Sequence, residues 1–252
     1  MPMYNMRTSN PALRAFRSPA MYGGFRDFEK MSVCGTVNAT LVLLAVLVIT
    51  ALFTWYLLFV QGAFSLVIIL MIGGAIGGLV LAIVTIFKKE WSPFTAPAYA
   101  AVEGLFVGGI SAIFELWFPG IVLEAIALTF GVFMLMLLIF KSGIIKVNRS
   151  FMIGVAAATG AIVLVYMASF FLSFMGIAVP YIHGSGPIGI GFSVIVVSIA
   201  ALNLMLDFHI IAEGSSHGYP KYMDWYAAFA LMVTLIWLYV EILVLLSKLR
   251  SR

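Results

Sequence analysis

Charged side chains are scarce in this sequence: they make up 10% of its 252 residues, against about 25% in an ordinary soluble domain. The apolar share is 63% and the mean hydropathy +1.14, more apolar surface than a soluble core of this length absorbs. Cysteine is nearly absent. A single Cys34 excludes an internal disulfide framework and any multi-cysteine metal site, and it reads as a packing residue. Basic clusters on a folded soluble face, the mark of a nucleic-acid binder, are missing too, because the 14 Lys and Arg that set the net charge of +4 fall between apolar runs. No nucleic-acid partner is expected, and the partner that the composition demands is the lipid bilayer.

What remains is a series of long apolar runs. Crossing about 30 Å of hydrocarbon takes roughly 20 apolar residues as a helix, and only helices or closed barrels satisfy their own backbone there. The runs therefore count helices: Gly35 to Val60, Phe64 to Phe87, Pro97 to Leu116, Ile121 to Phe140, Phe151 to Met175, Ile188 to Ala212, and Trp225 to Ser247. The expected fold is an all-α membrane protein of seven transmembrane helices over residues 31–252, preceded by a basic tail over residues 1–30 with Arg7, Arg14, Arg17, Arg26 and Lys30. That tail reads as a cytoplasmic extension, in preference to a cleaved leader or a mitochondrial transit peptide. Ser92-Pro93 and Pro97 mark the start of the third helix, Pro119-Gly120 separates the third from the fourth, and Asn148 is placed to cap the fifth. Pro180 to Pro187 reads as a Gly-rich loop.

Orientation follows from the basic residues. With the tail inside, the inner connections carry Lys88, Lys89, Lys141, Lys146, Arg149 and Lys221, and the outer loops carry none. Seven spans then put Lys248, Arg250 and Arg252 outside, against the rule: either the earlier loops dominate or one span does not fully cross. Small residues recur at four-residue spacing in Ile72-Gly73-Gly74-Ala75-Ile76-Gly77-Gly78 and again at Gly104 and Gly108, which predicts close helix packing within one chain rather than a dimer face.

Chemistry is expected where carboxylates lie inside the runs. Glu103, Asp207 and Glu241 do, with no Lys or Arg deep in a run to neutralise them. Lone ionised carboxylates in low dielectric are strongly disfavoured, so these acids are expected to be protonated, to share a proton, to be hydrated, or to hold a cation. Two carboxylates held close titrate as a unit, and once the shared proton leaves, repulsion separates their helices and the same oxygens become hard ligands for a cation such as Ca²⁺. A bland alternative for Asp207 is a protonated acid satisfied by Asn203 one turn earlier.

Asp207 within Leu204-Met205-Leu206-Asp207-Phe208, and Tyr239-Val240-Glu241 in the last helix, resemble the paired acids of the transmembrane Bax inhibitor motif family, in particular its bacterial YccA-like branch. The likeness extends over Ser9-Asn10-Pro11, Ser92 to Gly109, Phe118-Pro119-Gly120, Gly186 to Asp207 and Pro220 to Glu241. The resemblance implies a seven-helix bundle with the last helix central, a bacterial inner membrane, and a pH-dependent Ca²⁺ leak controlled by the acid pair. Asp207 takes the sixth-helix position and Glu241 the seventh, where relatives usually carry Asp; Ile242 and Leu243 replace the polar residues that usually follow. A second-helix acid and Arg of some relatives have no counterpart. Depth also separates the two acids: Asp207 lies near the inner end of its run and Glu241 far from the inner start of the last, so Asp224 is the alternative partner. Glu103 is expected to line the route.

Other patterns carry less. His209, Glu213 and His217 recur at four-residue spacing, but Gly214-Ser215-Ser216 is expected to interrupt their helix, which argues against a zinc site. Gly184-x-Gly186-x-x-Gly189 matches a dinucleotide fingerprint by letter yet lacks its strand-to-helix context. An intramembrane aspartyl protease needs a Gly-x-Gly-Asp around one acid, and Glu241 has nothing of the kind; a retinal pigment needs a lysine deep in the last helix, which Lys221 and Lys248 only flank. No enzyme activity and no cofactor are expected. The remaining reading is a non-conducting regulator that binds a membrane protease or another membrane-protein partner.

Overall fold

A computed structural model describes residues 30–175 and 184–251. The tail, including Ser9-Asn10-Pro11, and residues 180–183 of the Gly-rich loop lie outside them. Among the described residues seven helices are long and apolar enough to cross a membrane. These are α1 (Val33–Phe59), α2 (Phe64–Phe87), α3 (Ser92–Trp117), α4 (Ile121–Ser142), α5 (Arg149–Phe174), α6 (Pro187–His217) and α7 (Met223–Arg250), with one 3₁₀ turn, Lys89–Trp91, ahead of α3. The chain is a multi-pass membrane protein.

Local chemistry sets the ends. The Ser32 hydroxyl accepts from Gly35 N at the start of α1, and Asn148 Oδ1 accepts from Phe151 N at 2.8 Å at the start of α5. Pro93 occupies the first turn of α3, where its missing N–H costs nothing, so the helix starts before Pro97 and takes that proline inside. The sixth helix also outruns its expected end: it continues through Gly214-Ser215-Ser216 and stops at Gly218, whose φ of +66° gives the left-handed cap. His209, Glu213 and His217 thus share a continuous helix, but they do not converge. Glu213 Oε2 lies 3.6 Å from His209 Nε2, whereas His217 Nδ1 lies 2.8 Å from the Glu213 backbone carbonyl.

The most enclosed helix is α7: 61% of its apolar window is buried, against 17% for α2 and 11% for α5. It packs on α6, α1, α3 and α4, so the last helix is central. Its Met232, Leu238 and Leu243 are fully buried together with Leu43 of α1 and Leu204 and Met205 of α6. On α1 and α2, Ile49, Leu52, Ile69 and Leu79 point outward at more than half exposure, as lipid-facing side chains do.

The small residues explain how α1, α2 and α3 meet. A Cβ at Gly108 would lie 2.5 Å from the Ala51 carbonyl of α1, and one at Gly74 would lie 2.8 Å from Phe106 N of α3. Gly104 likewise faces Leu47 and Thr50. These glycines serve packing within the chain, as the spacing predicts.

Candidate functional site: a polar seam on the central helix

Thr234, Glu241 and Lys248 are spaced by seven residues along α7, so they lie on one stripe about 10 Å apart. That stripe faces α6, and α5 closes its edge through Tyr166. The register is antiparallel: Lys248 Nζ is 2.8 Å from Ser193 Oγ and 3.2 Å from the Gly189 carbonyl, and the Thr234 hydroxyl sits beside the Asp207 carboxyl.

This register settles where the two acids lie. Asp207 stands at the level of Thr234, and Glu241 is two turns further along α7. Glu241 is 6% exposed; its two oxygens share the Tyr166 hydroxyl donor, at 2.9 and 3.0 Å, and Oε1 also accepts from Trp237 Nε1 at 3.2 Å. Asp207 has one oxygen beside Thr234, while Oδ2 is shut away from solvent with no hydrogen-bond partner. In this conformation the acids are therefore not a hydrogen-bonded pair. An α6 that runs past Asp207 is one geometry that could join them; the helix does extend, but the hairpin turn at Gly218 fixes a register that keeps them apart by about 10 Å along the axis.

Nor does Asn203 satisfy Asp207. Its Nδ2 donates to Thr159 Oγ1 of α5 at 2.8 Å and to the Ile199 carbonyl at 2.9 Å. Asp224, the alternative partner, starts α7 ten residues before Thr234, about 15 Å away along the helix. It is 2% exposed and serves the other face of the bundle: Oδ1 accepts from Ser32 N at 3.0 Å and Thr36 Oγ1 at 3.2 Å, and Oδ2 lies 3.5 Å from Lys221 Nζ. Glu103 stands elsewhere again, with its carboxylate in the space a Cβ at Gly78 would occupy, between α3 and α2. The structure thus brings none of the four acids into contact with another.

Sequence reading missed the groups that attend the acids. Tyr166, Trp237 and Thr234 surround them, and Lys248, at 7% exposure, turns inward instead of to the membrane surface and lies near enough to Glu241 to interact electrostatically. A signal was present in the seven-residue spacing of Thr159 with Tyr166 and of Thr234 with Glu241 and Lys248. Among the described residues no group of three metal-binding side chains forms.

The chain matches the family model described as Bax inhibitor 1 like over residues 5–251, nearly its full length. It belongs to that family. Comparisons with curated proteins and with solved structures gave no match. In this Bax inhibitor 1 like protein two of the four acids, Asp207 and Glu241, lie along the seam. The arrangement offers two carboxylates at separate depths of one interface, each lined by hydroxyl or indole donors. A lysine closes one end.

Proposed function

We propose that this protein is a pH-sensitive, Ca²⁺-permeable leak of a bacterial inner membrane, with its N-terminal tail in the cytoplasm, and that cations follow the α5–α6–α7 seam with Asp207 and Glu241 as successive stations. The observation that carries the reading is Asp207 Oδ2, a buried carboxylate oxygen without a hydrogen-bond partner, about two-thirds of the way along a membrane helix. Such a group is expensive in hydrocarbon, and a proton or a cation is what relieves it. Glu241 answers the same need differently, through Tyr166 and Trp237.

Proton loss is the gating event in this reading. With Asp207 protonated the seam stays shut; the ionised form has no donor other than Thr234 and draws in water or a cation, which spreads α6 from α7. Carboxylate oxygens are hard ligands that suit Ca²⁺, and carbonyl and hydroxyl groups along the seam complete a weak, exchangeable shell. Two stations about 10 Å apart favour passage, since each holds an ion only loosely. Glu103, enclosed between α2 and α3, has no part in this route.

Ca²⁺ flux into liposomes containing the wild-type protein, Asp207→Asn or Glu241→Gln, followed from about pH 5 to pH 8, tests this. Wild-type flux is expected to rise with pH, and each variant to flatten or displace that rise. Absent flux, or flux indifferent to both changes, sinks the leak and puts first a non-conducting regulator that restrains a membrane-protein partner.

A further inference from the structure

Helices α1 and α4 both lean on α3 and α7 but scarcely pack on each other, and the gap between them is a cavity of about 220 Å³. Its floor is Val107, Gly108 and Ser111 of α3 with Leu235, Ile236 and Tyr239 of α7, so it reaches the central helix. Its rim is formed by lipid-facing side chains: Val48 and Leu52 of α1 and Phe130 of α4 are all about half exposed or more. The mouth therefore opens sideways into the bilayer.

We propose that this gap is a binding site for one acyl chain of a bilayer lipid, drawn from the leaflet opposite the N-terminal tail. Polarity argues for a chain and against a headgroup. The hydroxyls on the wall are already committed: Ser111 donates to the Val107 carbonyl at 2.5 Å and lies 2.7 Å from the Tyr239 hydroxyl, and Thr129 donates to the Ala125 carbonyl at 2.7 Å. These hydroxyls leave little to recognise a phosphate, and among the described residues no charged side chain lines the space. Size agrees, since an apolar cavity of roughly 150 Å³ already accepts a benzene ring. Depth assigns the leaflet. The walls run from Leu44 to Trp55, toward the end of α1, and from Val122 to Phe130, at the beginning of α4, and both segments lie on the side away from the tail. Packing supplies the energy: an unfilled lipid-facing groove forfeits dispersion contacts that a methylene chain restores.

Trp55 on the wall provides the readout. Full-length protein in detergent micelles is titrated with phospholipid brominated on its acyl chains, and tryptophan quenching is compared between wild type and Trp55→Phe to isolate Trp55 from the other four tryptophans. The Trp55 component is expected to quench saturably at one lipid per chain. Filling the gap with Ala51→Phe, or its rim with Val48→Phe, displaces about two methylenes of contact and is expected to weaken that binding about tenfold. Two separate fillings guard against one variant failing to fold, which an unchanged unfolding midpoint checks. Quenching that grows linearly with lipid, or saturates identically in both filled variants, overturns the site. Shielding of Trp55 that fades on dilution of the protein assigns the gap to a second copy of the chain and overturns it as well.

Discussion

Asp224 ties α7 to α1 at the end of the bundle where α1 begins, beside the Met31 N to Tyr219 carbonyl and Ser92 hydroxyl to Tyr222 carbonyl hydrogen bonds. Its carboxylate ties the first turn of α7 to the first turn of α1 through Ser32 N and Thr36 Oγ1, and Gly35 leaves the room for it. A Cβ on Gly35 would fall where Asp224 Oδ2 now lies and 2.9 Å from Ser32 Oγ, the capping hydroxyl. Two effects of Gly35→Ala oppose each other. Alanine favours the helix by about 1 kcal/mol over glycine. Displacing the carboxylate loses a helix cap and charge-assisted hydrogen bonds to a buried acid, together about 2 to 3 kcal/mol. The clash wins, so Gly35→Ala is expected to destabilise the protein by about 1 to 2 kcal/mol on these figures, measured as the unfolding midpoint in micelles. An unchanged or higher midpoint would show that Asp224 is not a clasp. The same arithmetic separates Glu241 from Asp207. Tyr166→Phe removes the hydroxyl donor shared by the two Glu241 oxygens and is expected to cost about 2 kcal/mol, whereas Asp207→Asn gives Oδ2's position a neutral group and is expected to cost less than about 1 kcal/mol. Thermal unfolding of the two variants side by side checks that order.

At the scale of helices, the close approach of α3 to α1 and α2 predicts an asymmetry among glycines that look alike in sequence. Gly108 meets the α1 backbone, whereas Gly73 has open space where its Cβ would point. Gly108→Val must push α1 away and is expected to cost about 3 kcal/mol or more, while Gly73→Val, facing lipid, is expected to stay within about 0.5 kcal/mol. Equal effects at the two positions, read from unfolding midpoints, would contradict the packing. The helices themselves are legible in the sequence. Seven apolar runs, the Asn148 cap and the intrachain use of the glycines follow from length, capping chemistry and small-residue spacing, and the central last helix follows from the family resemblance. The site is legible only as a set of acids. Run boundaries placed on hydropathy stop at the first polar residues, so hydropathy ends α6 at Ala212 although a helix tolerates Gly214 and two serines before a residue with positive φ ends it. The register of a helical hairpin depends on that turn, and a shift of two turns decides whether Asp207 faces Glu241 or Thr234. Lys248 reads as a surface residue for the same reason: at a helix end a long basic side chain can turn outward or inward, and only the partners across the interface, Ser193 and Gly189, decide which.

Those partners resolve the conflict in the charge distribution of the whole molecule. Seven crossings place the termini on opposite sides, and Lys248 and Arg250 stand at the end that the positive-inside rule would keep in the cytoplasm. Neither acts as a free interfacial cation. Lys248 is buried among α6 oxygens, and Arg250 is 2.7 Å from Glu124 Oε1 and 2.8 Å from the Pro119 carbonyl at the start of α4. The connections that hold Lys88, Lys89, Lys141, Lys146 and Arg149 all lie at the end of the bundle where α1 begins. Orientation should follow them, with the tail inside and the end of α7 outside. Labelling with a membrane-impermeant maleimide checks this in a Cys34→Ser background, which removes the native thiol. Cysteine at Ser142 is expected to react only after the membrane is opened, and cysteine at Ser251 to react in intact cells. Reaction of both from the same side would mean that one apolar helix does not cross. That outcome would also break the seam, because a station at Asp207 and another at Glu241 lie at successive depths only if α6 and α7 both pass through the bilayer.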